Sequence, residues 1–352
     1  KRRKSICSFF SRHVRRNSRI IVTVGVNISH DSSICIKTEE SIEFFEESRF
    51  NKNKFWEPSI QDWDYKSFNK IKNFNDFFVF TSFGRDNNQD QEIINNICNK
   101  YKIQNYVFNQ YEHHIYHAVA GFHLAPFNEA LCITVDGGGT SPYPEHKQYA
   151  ESHETYKECD SIYLINNLNI KSFYTKYCNA KSTALYTNFI KKVKLKNIIQ
   201  AFKNNIFNSD LYNVNYKYEN CDYSLSSSYN PGILFNHLCS TIKTETLMND
   251  YRWLEPGKAM GLSSYGNSDG MRDEDLAKQV QEVTENYTID LIEKALLYSN
   301  CRNIVLSGGY FLNCVNNYKY TQYFKNINFF VDPCPHDGGT ALGAALLYDN
   351  YK

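Results

Sequence analysis

No stretch of the 352 residues approaches the roughly 18–20 consecutive apolar side chains that a membrane-spanning helix needs. No Cys-x-x-Cys pair occurs among the 11 cysteines, which are scattered from Cys7 to Cys334. Their odd number, in a chain of this size, argues against a disulfide scaffold and a structural zinc site, and for a reducing, cytoplasmic compartment. Net charge is nearly absent: 39 Lys and Arg against 38 Asp and Glu leave +1. That balance gives no global electrostatic case for nucleic acid or for an acidic partner. Neither membrane nor nucleic acid is therefore an expected partner. The local exception is Lys1 to Arg19, KRRKSICSFFSRHVRRNSR, which is basic without one acid. It reads as a solvated tail, with a transit-like segment or a nucleic-acid arm as alternatives. The chain starts at Lys1 and not at Met, which leaves room for a longer parent protein.

What is present is a core. Apolar residues make up 42% of a chain long enough for one large or two medium domains. RIIVTVGVN, SICIKT and SIEFFEES, within residues 20–48, predict three strands with tight turns. A polar linker follows from Asn51 to Asn75. FFVFTSF (77–83) is a strand, and QDQEIINNICNKY is a helix with Ile93, Ile94 and Ile97 on one face. YVFN is a strand and EHHIYHAVAGFHL a helix. The plan then restarts: EALCITVDGGG (129–139) is a strand entering a glycine turn, with DSIYLIN and KSFYTKY as the next two strands. Residues 191–229, rich in Asn, Lys, Tyr and Ser, read as an insertion or flexible loop. After it come helix GILFNHLCSTI, loop EPGKAMGLSSYG, a long helix near Asp275–Ser299, strand NIVLSGG, strand INFFVDP and helix TALGAALLYDNY. A repeated strand meander followed by helices predicts a duplicated, two-lobed α/β fold.

Several residues sit where chemistry is often found. His113 and His117, at i and i+4, put both imidazoles on one helix face within reach of one cation; such pairs also occur as core or surface features. Asp136 ends an apolar strand and precedes Gly137, Gly138 and Gly139, a turn through which backbone amides can approach a phosphate, or a plain hairpin. Asp337 precedes two glycines and a helix N-terminus, as an anion-site neighbour or an ordinary cap. Gly308 and Gly309 join a strand to a helix, suiting close contact with a ribose or base, or close packing. Asn27, His30 and Asp31 form a small polar turn. His30 there suits a general acid or charge stabiliser, or a structural role. Lys258, in a glycine-flanked loop, suits phosphate neutralisation or plain solvation. Arg49, Lys52 and Lys54 form a basic cluster, read as a solvated face more readily than as an anion site.

The order of these segments says more than any one of them. NISHDSS, EESRFNKNK, HHIYHAVAGF, ALCITVDGGG, GILFNHLCSTI, EPGKAMGLSSYG, LSGGYFLNCVNN and PCPHDGGTALGAAL together resemble the O-carbamoyltransferases of nodulation-factor and antibiotic biosynthesis, from Val22 to Leu347. The N-terminal domain of that family is similar to the tRNA threonylcarbamoyl-transfer protein. The resemblance implies a duplicated actin/Hsp70-like (RNase H-like) ATPase fold. With the basic tail at 1–19 and the insertion at about 191–229 outside the resemblance, the expected division is a first lobe at 20–128 and a second lobe at 129–352. The resemblance further implies Fe²⁺ or another divalent metal held by His113, His117, Asp136 and Asp337. An ATP-derived carbamoyl-adenylate would lie near Gly137–Gly139, Gly308, Gly309 and Asn313, with His30 near the carbamoyl group; the residues' own character adds Asn27 and Lys258 as cofactor contacts and Asp31 beside His30 at the reacting group. The implied reaction is carbamoyl transfer to a hydroxyl or amine of a small-molecule acceptor, with AMP leaving.

The family's second domain, which makes carbamoyl-adenylate from ATP and carbamoyl phosphate, is not recognisable here, so a separate protein that forms the adenylate is the expected partner. Three flanks depart from the family pattern: His336 replaces a Gly, Asn230-Pro231-Gly232 stands for Ser-Leu-Gly, and Ser263-Ser264-Tyr265-Gly266 for Ala-Pro-Tyr-Gly. Two other readings remain: a non-catalytic ATP- or adenylate-binding scaffold, and a sugar-kinase or Hsp70-like ATPase. The last fits the two polar turns but not the histidine pair, since Mg²⁺ prefers oxygen ligands.

Overall fold

A computed structural model describes residues 22–53, 56–82, 87–142, 156–167, 169–179, 192–204, 213–226, 229–242 and 256–349. The basic tail and Lys54 lie outside these residues.

Two mixed sheets repeat one plan. In the first, β1 (Thr23–Asn27), β2 (Ser33–Lys37) and β3 (Ile42–Glu46) form an antiparallel meander, and β4 (Phe77–Thr81) and β5 (Tyr106–Asn109) add in parallel beside β1. The strand order is β3-β2-β1-β4-β5. In the second, β6 (Glu129–Val135), β7 (Tyr156–Asn166) and β8 (Asn169–Asn179) repeat the meander, and β11 (Asn303–Ser307) and β12 (Asn328–Val331) repeat the parallel pair. This duplication is the actin/Hsp70-like ATPase plan that the sequence predicts.

The segment at 191–229 corrects the loop reading. Its described residues hold helix α3 (Lys192–Lys203) and a hairpin, β9 (Asn213–Tyr218) and β10 (Cys221–Ser226); α1 (Asn87–Tyr101) and α2 (His113–Leu124) precede it. β10 pairs in parallel with β8, so the hairpin extends the second sheet to seven strands. Period-2 signals in this segment are weak because its stability comes from pairing with β8, a partner distant in sequence. The linker reading of 51–75 also needs correction: Trp56, Tyr65, Phe68 and Ile71 are buried against the first sheet. EPGKAMGLSSYG is not a loop either. Within it, α5 (Pro256–Leu262) and a 3₁₀ turn, Ser263–Tyr265, follow α4 (Pro231–Thr241). Two glycines hid a helix whose Ala259 is fully buried.

The central strands are buried on both faces. On β6, Leu131, Ile133 and Val135 face α4 and the long helix α6 (Asp273–Tyr298), while Ala130 and Cys132 face the middle of the molecule. That middle layer is α2 and the last helix, α8 (Gly339–Asp349), which follows α7 (Cys314–Tyr323). α8 returns to pack on β1, β2 and β4 of the first sheet, and α2 packs on β6, β7 and β11 of the second. The lobes thus interlock by exchanged helices, and one apolar cluster joins Cys35 and Val79 to Tyr116, Val305 and Leu342. No disulfide links the described cysteines, and no described helix is long and apolar enough to cross a membrane.

Candidate functional site at the meeting of the lobes

The interlocked helices bring three chain ends to one point. α2 starts at His113. Asp136 follows β6. Asp337 lies in the turn before α8. His113 and His117, one turn apart on α2, direct their Nε2 atoms at each other at 3.2 Å. His113 Nε2 is 3.2 Å from Asp136 Oδ2, and both Nε2 atoms are 3.4 Å from Asp337 Oδ1. All four side chains are buried. The 3.4 Å spacings are long for hydrogen bonds, and Asp337 Oδ1 accepts none despite its burial. Ligand atoms on a cation with bonds of about 2.1 Å lie about 3.0 Å apart at right angles and about 3.4 Å apart at tetrahedral angles. The observed spacings fall in that range, so the four residues fit a single divalent cation.

Charge complementarity is strong within the cluster. Burial opposes a proton on His113, but Asp136 and Asp337 outweigh it and raise the ring to about 9. Burial also opposes charge on Asp337, yet His113, His117 and His30 hold it well below the usual carboxylate range. Asp136 is lowered as well: burial and Asp337 push it up, and the charge and hydrogen bond of His113 prevail. His114, between them on α2, is driven well below its ordinary value by burial and then by His113. Its Nδ1 pairs with Ser161 Oγ at 2.8 Å, which marks it as structural.

The cluster opens into a cavity of about 880 Å³ lined by His30, Asp31, Asp136, Asp337, Gly137, Gly138, Gly309 and Asn313 among others. His30 Nε2 is 2.8 Å from Asp337 Oδ2, and its Nδ1 is 3.3 Å from Asp31 Oδ2. Asp31 adopts a left-handed φ of 56° at this wall, a strained choice for a non-glycine residue. Phe235, Met260 and Tyr310 give the lining an apolar part.

Four residues proposed as ligand contacts stand elsewhere. Asn27 is fully buried and donates its amide to the carbonyls of His30, Asp31 and Asp337 at 3.2, 3.4 and 3.2 Å. It braces the two turns and does not line the cavity. Gly139 packs beneath His113, where a Cβ would meet the ring at 2.9 Å. Gly308, at φ 97°, lies against Val135, whose carbonyl a Cβ would approach to 2.3 Å. Both glycines set the depth of the site from behind it. Lys258 is exposed on α5, outside the lining, although its neighbours Gly257 and Met260 belong to it.

Other residues belong to the site although the sequence reading left them outside the expected site. Arg49 and Lys52 line the cavity, so the basic cluster is not simply a solvated face. His336 also lines it: Nδ1 accepts from the Gly338 amide at 3.1 Å, and Nε2 reaches Glu46 at 3.1 Å. Asn230 is hidden behind the site. Its Nδ2 reaches the carbonyls of Asp136 at 2.5 Å and Cys159 at 2.9 Å, and its Oδ1 caps α4 through the Ile233 amide at 2.9 Å. The only sequence signal was Asn before Pro at a helix start. Asn230→Ala is expected to cost about 2–3 kcal/mol, the sum of a lost cap and buried carbonyls left without a donor. Asn230→Ser, which keeps the cap alone, is expected to cost less; denaturant unfolding of both variants checks the order.

Known proteins resemble this chain in sequence and in fold. The description "Carbamoyltransferase N-terminus" matches residues 28–346. The nodulation protein NolNO of Sinorhizobium fredii is 24% identical over 247 residues, covering 68% of this chain and 31% of that protein. The uncharacterized protein sll1178 of Synechocystis sp. is 36% identical over 75 residues, 21% of this chain and 12% of its own length. The crystal structure of T. kodakarensis HypF aligns with a TM-score of 0.55 at 11% identity, over 94% of this chain and 48% of that one. The chain spans less than half of each of these proteins. With the matched family covering nearly the whole described structure, the chain belongs to the carbamoyltransferase N-terminus family.

Proposed function

We propose that the chain carries the transfer site of a carbamoyltransferase, moving a carbamoyl group from carbamoyl-adenylate to a hydroxyl or amine of a small acceptor. The observation that carries this reading is the buried His113–His117–Asp136–Asp337 set, opening on a cavity large enough for a nucleotide. The set suits a mid-series divalent cation, Fe²⁺ among them, because two imidazoles and two carboxylates match that class better than Mg²⁺. Such an ion, when bound, supplies positive charge to a phosphate.

The chain's own residues supply the rest. The Gly137-Gly138 turn leaves its backbone open to a nucleotide phosphate, and Gly309 and Asn313 extend that wall. Burial works against a proton on His30, but Asp31 and Asp337 outweigh it and raise the ring to about 11. With Asp31 and Asp337 as its partners, His30 is held toward its charged form, which suits a charge stabiliser or acid. In the proposed step the acceptor oxygen or nitrogen attacks the carbamoyl carbon. The carbon–oxygen bond to the phosphate breaks, AMP leaves, and the acceptor's proton passes to solvent or to the departing phosphate. The adenylate would be formed elsewhere, by a separate protein or domain.

Single-turnover AMP release from preformed carbamoyl-adenylate, with hydroxyl and amine acceptors, tests the reading. Release matched by carbamoylated acceptor is expected. Tight binding without release would favour a non-catalytic adenylate-binding scaffold, the reading suggested by the altered residues flanking Asp337 and α4.

Metal affinity should depend on pH. His113 is raised from 6.5 to about 9, so the stability its charged ring contributes is full below 6.5 and is lost as pH rises through about 9. A metal must displace that proton. Affinity for Mn²⁺ is therefore expected to rise up to about tenfold per pH unit toward pH 9 and then level off. Calorimetry in buffers of different ionisation enthalpy reads the proton released.

A further inference from the structure

Asn313 lines the cavity, yet both ends of its side-chain amide are engaged by other residues. Its Oδ1 accepts from the Asn316 backbone amide at 3.2 Å, capping α7, and from Gln281 Nε2 at 2.9 Å. Its Nδ2 donates to Gln281 Oε1 at 3.1 Å. A backbone amide can only donate, so Asn313 Oδ1 must face Asn316, and that one bond orients both side-chain amides. The remaining bonds agree. Gln281 Nε2 also donates to Asn316 Oδ1 at 2.8 Å. Asn316 Nδ2 donates to the Gln281 carbonyl at 3.2 Å and to Tyr310 Oη at 2.9 Å. Gln281, on α6 and only 2% exposed, stands at the centre of this network.

What the network holds is the turn that leaves β11. Gly309, Tyr310, Leu312 and Asn313 all line the cavity. The turn is a single 3₁₀ element, Gly309–Leu312, closed by Phe311 N to Gly308 O at 2.9 Å and Asn313 N to Tyr310 O at 3.0 Å. So short an element has little rigidity of its own. Asn316 pins Tyr310 at its start, and Gln281 pins Asn313 at its end. A buried polar network with its donors and acceptors paired fixes one backbone arrangement. The metal set, by contrast, stands on α2, at the end of β6 and in the turn before α8.

We propose that Gln281 is a positioning residue for the nucleotide. Through Asn313 and Asn316 it fixes the Gly309–Asn313 wall, which meets the ligand with its backbone, and it acts on nucleotide affinity without acting on the metal. The inference rests on the reading of the cavity as a nucleotide site.

Gln279 supplies a matched control. It lies two residues earlier on α6 and is equally buried at 2%. Its Nε2 donates to the carbonyls of Gly270 and Asp275 at 2.9 and 3.1 Å, and neither residue lines the cavity. Calorimetric titration of the whole chain with Mn²⁺, and then with AMP in the presence of Mn²⁺, compares Gln281→Met and Gln279→Met with the parent. Gln281→Met is expected to bind AMP at least about tenfold more weakly, with Mn²⁺ affinity within about twofold of the parent, because a binding wall must be held to a fraction of an ångström. Gln279→Met is expected to match the parent in both. Gln281→Asn, one methylene too short to reach Asn313, should show the same selective loss and covers the case of a Gln281→Met chain that does not fold. Parent-like AMP binding by the Gln281 variants, a parallel loss of Mn²⁺, or an equal loss in Gln279→Met would overturn the positioning role and leave the nucleotide reading standing. No AMP binding by the parent would overturn the nucleotide reading and the positioning role with it.

Discussion

The His113→Ala, His117→Ala double variant is expected to retain less than about a tenth of the divalent metal of the parent chain and to transfer carbamoyl groups at least about 10³-fold more slowly. Both Nε2 atoms point at one locus with Asp136 and Asp337, so removing them leaves two carboxylates as the only protein ligands. Two carboxylates without imidazoles no longer favour a mid-series ion. The loss of charge stabilisation at a leaving phosphate is of the size seen when such a group is deleted from an active site. The variant also leaves Asp136 buried without its positive partner and Asp337 with His30 alone, which is expected to cost about 3–5 kcal/mol. His117→Asn, changed singly, separates the two effects. It keeps a polar side chain and the charged His113–Asp136 pair, so it should stay folded while losing most of its metal. Elemental analysis, thermal unfolding and AMP release on the same preparations decide the outcome. Parent-like metal content in the double variant would make the histidines structural.

Gly25→Ala is expected to destabilise the fold by about 3 kcal/mol or more and to weaken nucleotide and metal binding together. Gly25 sits in the middle of β1, facing α8, and a Cβ there would stand 1.9 Å from the Ala341 carbonyl oxygen and 3.0 Å from the Ala345 amide nitrogen. Backbone atoms cannot rotate away, so the helix must move. α8 begins two residues after Asp337, and Ser33 Oγ on the same sheet holds the Gly338 carbonyl at 2.6 Å. Displacing the helix therefore displaces Asp337, a proposed metal ligand. The opposite flank makes a matched test. Gly343→Ala would place its Cβ 1.9 Å from the Tyr116 carbonyl on α2, between the two histidines in sequence. Denaturant unfolding gives the stability loss and a Mn²⁺ titration the binding loss. A Gly25→Ala chain of parent-like stability would contradict the close packing of helix on strand.

The duplicated fold could be read in the sequence because its central strands carry their own signal. β1 and β6 are short apolar runs ending in polar turns, and the turns proved to be where the cavity lies. The pairing of His113 with His117 could be read because i, i+4 spacing is a local property of one helix, whereas Asp136 and Asp337 were joined to them only through the family resemblance. What local pattern could not reveal was long-range placement. β9 and β10 are polar and weakly periodic, since one exposed hairpin face needs little apolar content; they are fixed by pairing with β8. α5 hid behind Gly257 and Gly261, whose low helix propensity was overridden by packing around Ala259. Asn27 looked like a ligand contact because it stands in a polar turn beside His30. Only the folded chain shows its amide consumed by three carbonyls. Lys258 lies outside the cavity lining because α5 leaves it exposed. Arg49, Lys52 and His336 join the site from elements separated by nearly 300 residues, which no local motif encodes.

The central claim is that the buried histidine–aspartate set is a metal centre that holds a nucleotide in the adjoining cavity. Calorimetric titration of the purified chain with AMP, before and after treatment with a strong chelator and again after Mn²⁺ is restored, tests it most directly. The account predicts AMP binding in the untreated chain, at least about tenfold weaker binding after chelation, and recovery with Mn²⁺. Binding of equal strength in all three states, or none in any, would contradict it.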